Sequence, residues 1–270
     1  MSTTLIKPET ATAFAADGAV HLPGLFADWV EVLRAGVARN EADPSEFFDD
    51  NGTTDDAGRF WDDYCNWQRI PEFERFAFES GIGQLAAAVM RSKTAQLFHE
   101  HVLVKEPGAS RPTPWHSDAP YYFVEGPQTV SFWIPLDPVP VESTLRLIRG
   151  SHLWDSSVHP VSWTTGDGFY GDDASTHSAG FRPAPDPDAS SEEFEILEWA
   201  MQPGDAVAFN FGTVHGAHGS ANLRRAFSLR MVGDDSRYVQ RKGRTSPPFD
   251  GHNMTDGQRL REDWFPLLPV

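Results

Sequence analysis

Cysteine and long apolar segments are scarce in this sequence of 270 residues. Cys65 is its single cysteine, so the chain cannot form an internal disulfide, and this fits a reducing compartment. No apolar run approaches the length of a membrane span. The first residues also lack the basic segment and apolar run of a signal peptide. We therefore expect a cytoplasmic protein without a membrane-spanning segment.

Positive charge is scarce as well. The chain has 22 Lys and Arg against 39 Asp and Glu, a formal net charge of −17. Phosphates would be repelled, so we expect neither nucleic acid nor an anionic membrane surface as the main partner. An acidic balance is also an ordinary means of staying in solution. We expect a small molecule as the partner, and the sequence leaves the oligomeric state open.

Apolar residues recur with two different periods along the chain. Around residues 29–37 and 82–90 they repeat at helical spacing. From about Lys93 the period becomes two, as in Thr129, Ser131 and Trp133, which alternate with apolar neighbours. Gly and Pro turns separate these strands without a βαβ rhythm. The pattern predicts a mainly β protein with flanking helices, built on an antiparallel double-sheet jelly roll.

We expect residues 1–270 to form a single catalytic domain, since this length and an apolar content of 40% can supply one sizeable core. Residues 1–95 would be its mainly helical part, and residues 96–235 the jelly-roll core. A long loop at about 154–193 would interrupt the core, because this stretch is rich in Gly, Asp, Ser and Pro. Residues 236–270 would form a C-terminal tail.

The most informative residues are His116, Asp118 and His215. Two residues apart on an extended strand, His116 and Asp118 would point to the same face. The segment 204–215 looks like a tight turn followed by a buried strand that carries His215. Two imidazoles and one carboxylate form the facial triad that binds non-haem Fe(II) and leaves open positions. Taken alone, a His-x-Asp pair is more often a surface or hydrogen-bonding pair, so the surrounding residues matter.

Those surroundings resemble the phytanoyl-CoA dioxygenase family of Fe(II)- and 2-oxoglutarate-dependent oxygenases. The similar segments follow the order of the family and cover most of the chain. They are residues 14–20, 105–108, 115–118, 133–137, 150–152, 204–205, 215–216 and 224–226.

The resemblance implies a set of ligands and the residues that hold them. His116, Asp118 and His215 would be the metal ligands and the catalytic centre, with Fe(II), 2-oxoglutarate and O₂ as cofactor and co-substrates. Arg224 aligns with the arginine that binds the distal carboxylate of 2-oxoglutarate, a role that suits a planar guanidinium. Arg225 would point the opposite way on a strand. Trp133 and His101 align with residues that line the co-substrate pocket.

The predicted function is hydroxylation of an aliphatic C–H bond of a small organic molecule, with release of succinate and CO₂. Desaturation, epimerisation and cyclisation use the same site and stay open. Two other classes are a jelly-roll metalloenzyme that does not use 2-oxoglutarate, such as an isomerase or hydrolase, and a non-catalytic binding module. The loop at 154–193 is a candidate lid, or alternatively a surface insertion without a role. The substrate is not predicted, because a fold does not determine one.

Overall fold

A computed structural model provides the structure of the protein and describes residues 6–52, 56–163, 167–170, 180–190 and 192–270. It contains four α-helices: α1 (Pro8–Asp17), α2 (Val30–Ala42), α3 (Pro71–Glu79) and α4 (Ile82–Met90). Helices α1 and α3 begin with proline, whose fixed φ suits the first helical turn. Helix α1 ends at Gly18, which adopts a φ of 80°. None of the described helices is long and apolar enough to cross a bilayer.

Two antiparallel sheets form the body. In spatial order, the major sheet contains β1 (Ala19–Leu22), β10 (Ala206–Phe209), β7 (Thr129–Pro135), β12 (Arg224–Val232), β4 (Gln96–Lys105), β3 (Phe60–Tyr64) and β2 (Asp49–Asp50). The minor sheet contains β5 (Thr113–His116), β11 (His215–Ala217), β8 (Leu145–Ile148) and β9 (Ile196–Leu197). A separate ribbon pairs β6 (Val124–Glu125) with β13 (Arg237–Tyr238).

The major sheet has one apolar face and one mixed face. Its outer face packs against the helices, where the Phe73 ring of α3 lies 4.7 Å from the Phe227 ring of β12. Because successive strand residues point to opposite faces, the neighbours of Phe227 face the space between the sheets. Trp133 and Ala226 pack there with Leu147 of the minor sheet. The predicted class, a mainly β jelly roll with flanking helices, is confirmed.

The N-terminal third is less purely helical than the periodicity indicates. It contains the four helices, but it also contributes β1, β2 and β3 to the major sheet. β3 lies in the aromatic and polar segment between the helices, where no strand pattern was evident. Asp62 and Tyr64 of β3 line a cavity, while Trp61, the residue before Asp62, packs in the apolar core with the helices. Polar and aromatic residues therefore occur on both faces of β3, so its sequence lacks the alternation of polar and apolar residues from which a strand is predicted.

A second difference concerns the approach to His215. The sequence predicts one continuous buried strand carrying Phe209, Phe211, Thr213 and His215 on one face. That prediction is wrong, because β10 ends at Phe209 and β11 begins at His215, in the other sheet. A turn joins them, closed by the bond from Thr213 N to Asn210 O at 2.8 Å. The crossing between sheets brings His215 opposite β5.

Candidate metal centre

His116 and His215 meet across the minor sheet. His116 is the last residue of β5 and His215 is the first of β11, and the antiparallel register pairs them directly. Their ring centroids lie 4.3 Å apart, and both side chains are buried. Strand pairing thus brings together two histidines that lie about a hundred residues apart in the sequence.

Asp118 completes the group, but not from a strand as the sequence suggests. It follows the end of β5 in a helical backbone conformation, with φ −70° and ψ −36°, and precedes a 3₁₀ turn. Its Oδ1 atom lies 3.7 Å from His116 Nε2 and 3.9 Å from His215 Nε2. One donor atom from each residue lies within 4.8 Å of the others. The predicted convergence is present, although a turn rather than a shared strand face produces it.

Backbone contacts set the tautomers of both histidines. His116 Nδ1 donates to Pro114 O at 2.8 Å, and His215 Nδ1 donates to Thr213 O at 2.9 Å. A carbonyl can only accept, so each Nδ1 carries the proton and each Nε2 presents a lone pair. Burial lowers the pKa of His116 to about 3 and also lowers the pKa of His215. Both rings are therefore neutral, as metal coordination requires.

The other carboxylate oxygen of Asp118 is hydrogen-bonded to two side chains of the protein. Its Oδ2 accepts from Arg230 Nε at 3.2 Å and from Ser131 Oγ at 3.4 Å. Burial acts to raise the pKa of Asp118, but the adjacent Arg230 guanidinium prevails and lowers it. Asp118 is thus an ionised carboxylate whose Oδ1 faces the histidines. Two neutral imidazoles and one carboxylate are the donor set that suits Fe(II) with open positions.

Arg230 was not singled out from the sequence, although one signal points to it. On β12 the residues facing the interior are Arg224, Ala226, Ser228 and Arg230. An arginine buried to 5% exposure at such a position needs an acidic partner or a ligand. The sequence pattern marks the interior position, and only the structure shows that Asp118 is the partner.

A cavity of about 410 Å³ opens beside His116 and Asp118. Its aromatic lining consists of Phe47, Phe48, Tyr64, Tyr121, Tyr122, Trp163 and Phe169. Its charged and imidazole lining consists of Glu46, Asp49, Asp62, His99, His101, Arg230 and Arg244. The volume and the mixture of aromatic walls with a few polar groups are typical of a small-molecule site.

The predicted co-substrate residues lie in different surroundings. His101 lines the cavity, and its Nε2 lies 2.7 Å from Asp62 Oδ2. Trp133 and Arg224 are buried on β7 and β12 and do not belong to the cavity lining. Arg224 Nη1 donates to Ser143 O.

Arg225 points to the opposite side of β12, as predicted. It forms a two-pronged ion pair with Asp137, at 2.6 and 2.9 Å. His218, the next histidine after His215, lies apart from the three converging residues, and its Nε2 lies 2.9 Å from Arg146 Nη1.

Part of the loop predicted at 154–193 lies beside the candidate metal centre, since Val161, Ser162, Trp163 and Phe169 line the cavity. The Trp163 ring stands edge-on to His116, with ring centroids 4.8 Å apart. Val161 is held by Tyr121, whose hydroxyl donates to Val161 O at 2.8 Å. Four glycines of this segment would give a lid its hinge freedom; Gly166 and Gly171 lie outside the described residues, whereas Gly168 and Gly180 lie within them.

Fold and site together define a jelly-roll protein with a two-histidine, one-carboxylate metal centre. The model of the phytanoyl-CoA dioxygenase family matches residues 14–226, so the chain belongs to this family of Fe(II)- and 2-oxoglutarate-dependent oxygenases. Comparison with curated proteins finds no significant sequence match.

Several solved structures share the fold. The carbocyclase SnoK from nogalamycin biosynthesis, described as non-haem and α-ketoglutarate dependent, superposes with a TM-score of 0.74 at 22% identity over 100% of this chain and 99% of its own. The epimerase SnoN, solved with Fe³⁺, α-ketoglutarate and nogalamycin RO, gives 0.73 at 23% identity over 97% and 98%. EctD from S. alaskensis, solved with 2-oxoglutarate and 5-hydroxyectoine, gives 0.66 at 20% identity over 97% and 89%.

Proposed function

We propose that this protein hydroxylates an aliphatic C–H bond of a small organic molecule, using Fe(II), 2-oxoglutarate and O₂. One observation carries the proposal: His116 Nε2, His215 Nε2 and Asp118 Oδ1 converge with their protonation states already set, beside a 410 Å³ cavity. Bound Fe(II) would supply activation of O₂ coupled to decarboxylation of 2-oxoglutarate to succinate and CO₂. The residues of the chain hold the metal, orient the co-substrate and admit the substrate.

Arg224 is the residue we assign to the distal carboxylate of 2-oxoglutarate. It is buried to 5% exposure, and within the described part of the chain it forms no ion pair. Its register partner Lys105 is buried too, and burial together with the Arg224 charge lowers the pKa of Lys105 to about 6. A buried guanidinium without an acidic partner among the described residues, beside a lysine whose charge it disfavours, favours a bound anion.

Trp133 and His101 complete the proposed co-substrate site. Both pair in register with Ser228 of β12, one from each neighbouring strand. Ser228 lies between Arg224 and Arg230 on the interior face of that strand, so Trp133 and His101 flank the path from the metal centre to Arg224. Their proposed role is to shape the pocket around the carbon chain of 2-oxoglutarate.

Asp118 bears on the type of reaction. Oxygenases of this fold that transfer a halide replace the metal-binding carboxylate with a small residue, whereas the carboxylate is present here. The carbocyclase and epimerase among the similar structures make cyclisation and epimerisation the second candidates. A metalloenzyme independent of 2-oxoglutarate, or a binding module, would have no need for Arg224 as a buried cation without an acid.

The test is a sequence of two measurements on one preparation. Anaerobic addition of Fe(II) and 2-oxoglutarate should produce a visible charge-transfer band, which neither Fe(II) alone nor 2-oxoglutarate alone gives. Addition of O₂ and a panel of small molecules should then release succinate. Products that gain one oxygen atom from ¹⁸O₂ support hydroxylation, whereas isomeric or dehydrogenated products support the other candidates. No band and no succinate would contradict the proposal.

A further inference from the structure

His99 faces the cavity with an unused hydrogen-bond acceptor. The residue is 2% exposed and its Nδ1 lies 3.1 Å from the carbonyl oxygen of Glu100. Because a carbonyl only accepts, Nδ1 carries the proton. Burial, with the neighbouring Arg230 charge, holds the pKa of His99 well below its usual range, so the ring is neutral. Its Nε2 therefore presents a lone pair, and among the described residues it has no hydrogen-bond partner.

Arg230 faces the same cavity with an unused donor. Its Nε donates to Asp118, whereas its Nη1 is buried and has no hydrogen-bond partner in the part of the chain that the structure describes. β12 and β4 are paired so that Arg230 stands directly opposite His99. The Tyr122 ring packs edge-on to His99, with centroids 5.3 Å apart, and also lies 5.9 Å from the Arg230 guanidinium carbon.

Leaving two adjacent buried polar groups unpaired is unfavourable, because each has lost its hydrogen bonds with water without gaining one in the protein. Both residues line the cavity beside His116 and Asp118, and their unpaired atoms are buried at its wall. We propose that Arg230 and His99 form a substrate subsite that binds a hydroxyl group: Arg230 Nη1 donates to the oxygen, and the O–H donates to His99 Nε2. This inference rests on the proposed function, since it places a substrate in that cavity.

The donor on Arg230 and the acceptor on His99 together favour one kind of polar group in the ligand. A carboxylate could accept from Arg230, but its oxygens would face the lone pair of His99. An ammonium group could donate to His99, but it would be repelled by Arg230. A hydroxyl is one donor and one acceptor at a single atom, so it satisfies both side chains.

The co-substrate does not account for this subsite. Arg230 lies six residues from Arg224 along β12, which corresponds to about 20 Å between their Cα atoms. We assign the distal carboxylate of 2-oxoglutarate to Arg224, toward the opposite end of the strand. The hydroxyl subsite thus lies on the cavity side of the metal centre, where it would orient the substrate relative to the metal.

Matched probes can test the subsite without any turnover. Benzyl alcohol, toluene and benzoate share one ring and differ in the group that would meet Arg230 and His99. Their affinities are measured by ligand-observed NMR on the Zn(II)-loaded protein, because Zn(II) has no redox chemistry. We expect benzyl alcohol to bind about tenfold more tightly than toluene, from its added hydrogen bonds in a dry site. Benzoate should bind more weakly than the alcohol.

Two variants of His99 isolate the acceptor without touching a metal ligand. His99→Phe should leave toluene affinity unchanged and reduce the preference for the alcohol to about twofold or less. His99→Gln keeps an acceptor oxygen and should retain part of the preference. Circular dichroism and Zn(II) content, measured on each variant, report whether fold and metal site are intact. A crystal soaked with benzyl alcohol should place its oxygen between Arg230 and His99.

Several outcomes would overturn the inference. These are a preference for benzyl alcohol that survives His99→Phe, tighter binding of benzoate than of the alcohol, and no detectable binding of benzyl alcohol up to its solubility. A crystal with only a water molecule between the two side chains, and the alcohol elsewhere, would do so as well. None of these measurements uses Fe(II), 2-oxoglutarate or O₂. Failure here is thus distinct from failure of the proposed oxygenase activity, which the succinate measurement reports.

Discussion

Arg230 supports Asp118 from the side opposite the histidines. Its Nε lies 3.2 Å from Asp118 Oδ2, while Asp118 Oδ1 faces His116 and His215. The contact separates the two oxygens into one that is available to a metal and one that is held by the protein. It also links the metal centre to β12, the strand that carries Arg224 at its other end.

Removing the carboxylate should remove the metal centre. Asp118→Ala leaves two imidazoles and an unpaired Arg230, so we expect loss of Fe(II) binding and of hydroxylation. Metal content by inductively coupled plasma mass spectrometry and succinate release are the measurements. Asp137→Ala, which removes a carboxylate from the Arg225 side of the sheet, is the control and should retain the metal. Co-purified Zn(II) or Ni(II) is compatible with the assignment, since these ions bind such sites more tightly than Fe(II).

Arg224→Ala should specifically impair use of 2-oxoglutarate. Loss of one partner of a buried ion pair costs about 3–5 kcal/mol, so the co-substrate requirement should rise by roughly a hundredfold or more. Fe(II) binding should survive. Arg225→Ala is the matched control, because Arg225 pairs with Asp137 on the other side of the strand. Impairment by Arg225→Ala alone would contradict the assignment.

Arg230→Met should weaken metal binding without removing a ligand. Groups that orient metal ligands commonly contribute about 10- to 100-fold to affinity, and we expect a loss in that range. Ser131→Ala removes the longer contact to the same oxygen, at 3.4 Å, and should have a smaller effect. Competition with a fluorescent Zn(II) chelator provides the affinities. Unchanged affinity in Arg230→Met would show that Asp118 does not need this support.

Glu100 should make the protein less stable as pH rises. It is fully buried, and one of its carboxylate oxygens has no hydrogen-bond partner among the residues that the structure describes. Burial raises its pKa from 4.5 to about 7. The pKa of Glu100 is higher in the folded state than in the unfolded state, so the protonated form of Glu100 favours folding. This contribution to the free energy of unfolding is fully present below about pH 4.5 and is lost as pH rises through about 7. Glu100→Gln should remove that loss, on the order of a few kcal/mol at pH 8.

Thermal unfolding at pH 5 and pH 8 measures this effect. The Glu100→Gln variant should gain in Tm relative to the parent at pH 8 and show little gain at pH 5. Glu142→Gln, at an exposed position, is the control and should change neither value. Equal gains at both pH values would indicate an effect of packing rather than of ionisation.

Trp163 should act as a cover over the metal centre. Its ring contacts His116, and Arg111 donates to its carbonyl oxygen at 2.7 Å. Closure of such a segment excludes water from the reacting species. Trp163→Ala should therefore increase succinate formation that yields no hydroxylated product. Limited proteolysis within 154–193, with and without Fe(II), 2-oxoglutarate and substrate, is the second measurement. Cleavage that ligands do not slow, with unchanged coupling in the variant, would contradict a lid.

Local sequence was sufficient for the class of fold and for the three residues that converge, whose role as metal ligands stays a prediction. Strand periodicity, turn residues and the order of His116, Asp118 and His215 predict a jelly roll with a metal triad, because these signals depend on neighbouring residues. The alternation along β12 also separates Arg224 from Arg225, since strand residues alternate between faces. The co-substrate roles of Arg224, Trp133 and His101 stay predictions.

Tertiary structure decided what depends on pairing between distant strands. The partners of Arg230 became evident only when β12 was placed between β4 and β7, opposite His99 and beside Ser131. β3 entered the sheet because its register with β4 satisfies its backbone, although its alternation is mixed. His215 reached His116 through a turn between two sheets. In each case the determining quantity is an inter-strand register, which arises from packing and hydrogen bonds that no local pattern of residues encodes.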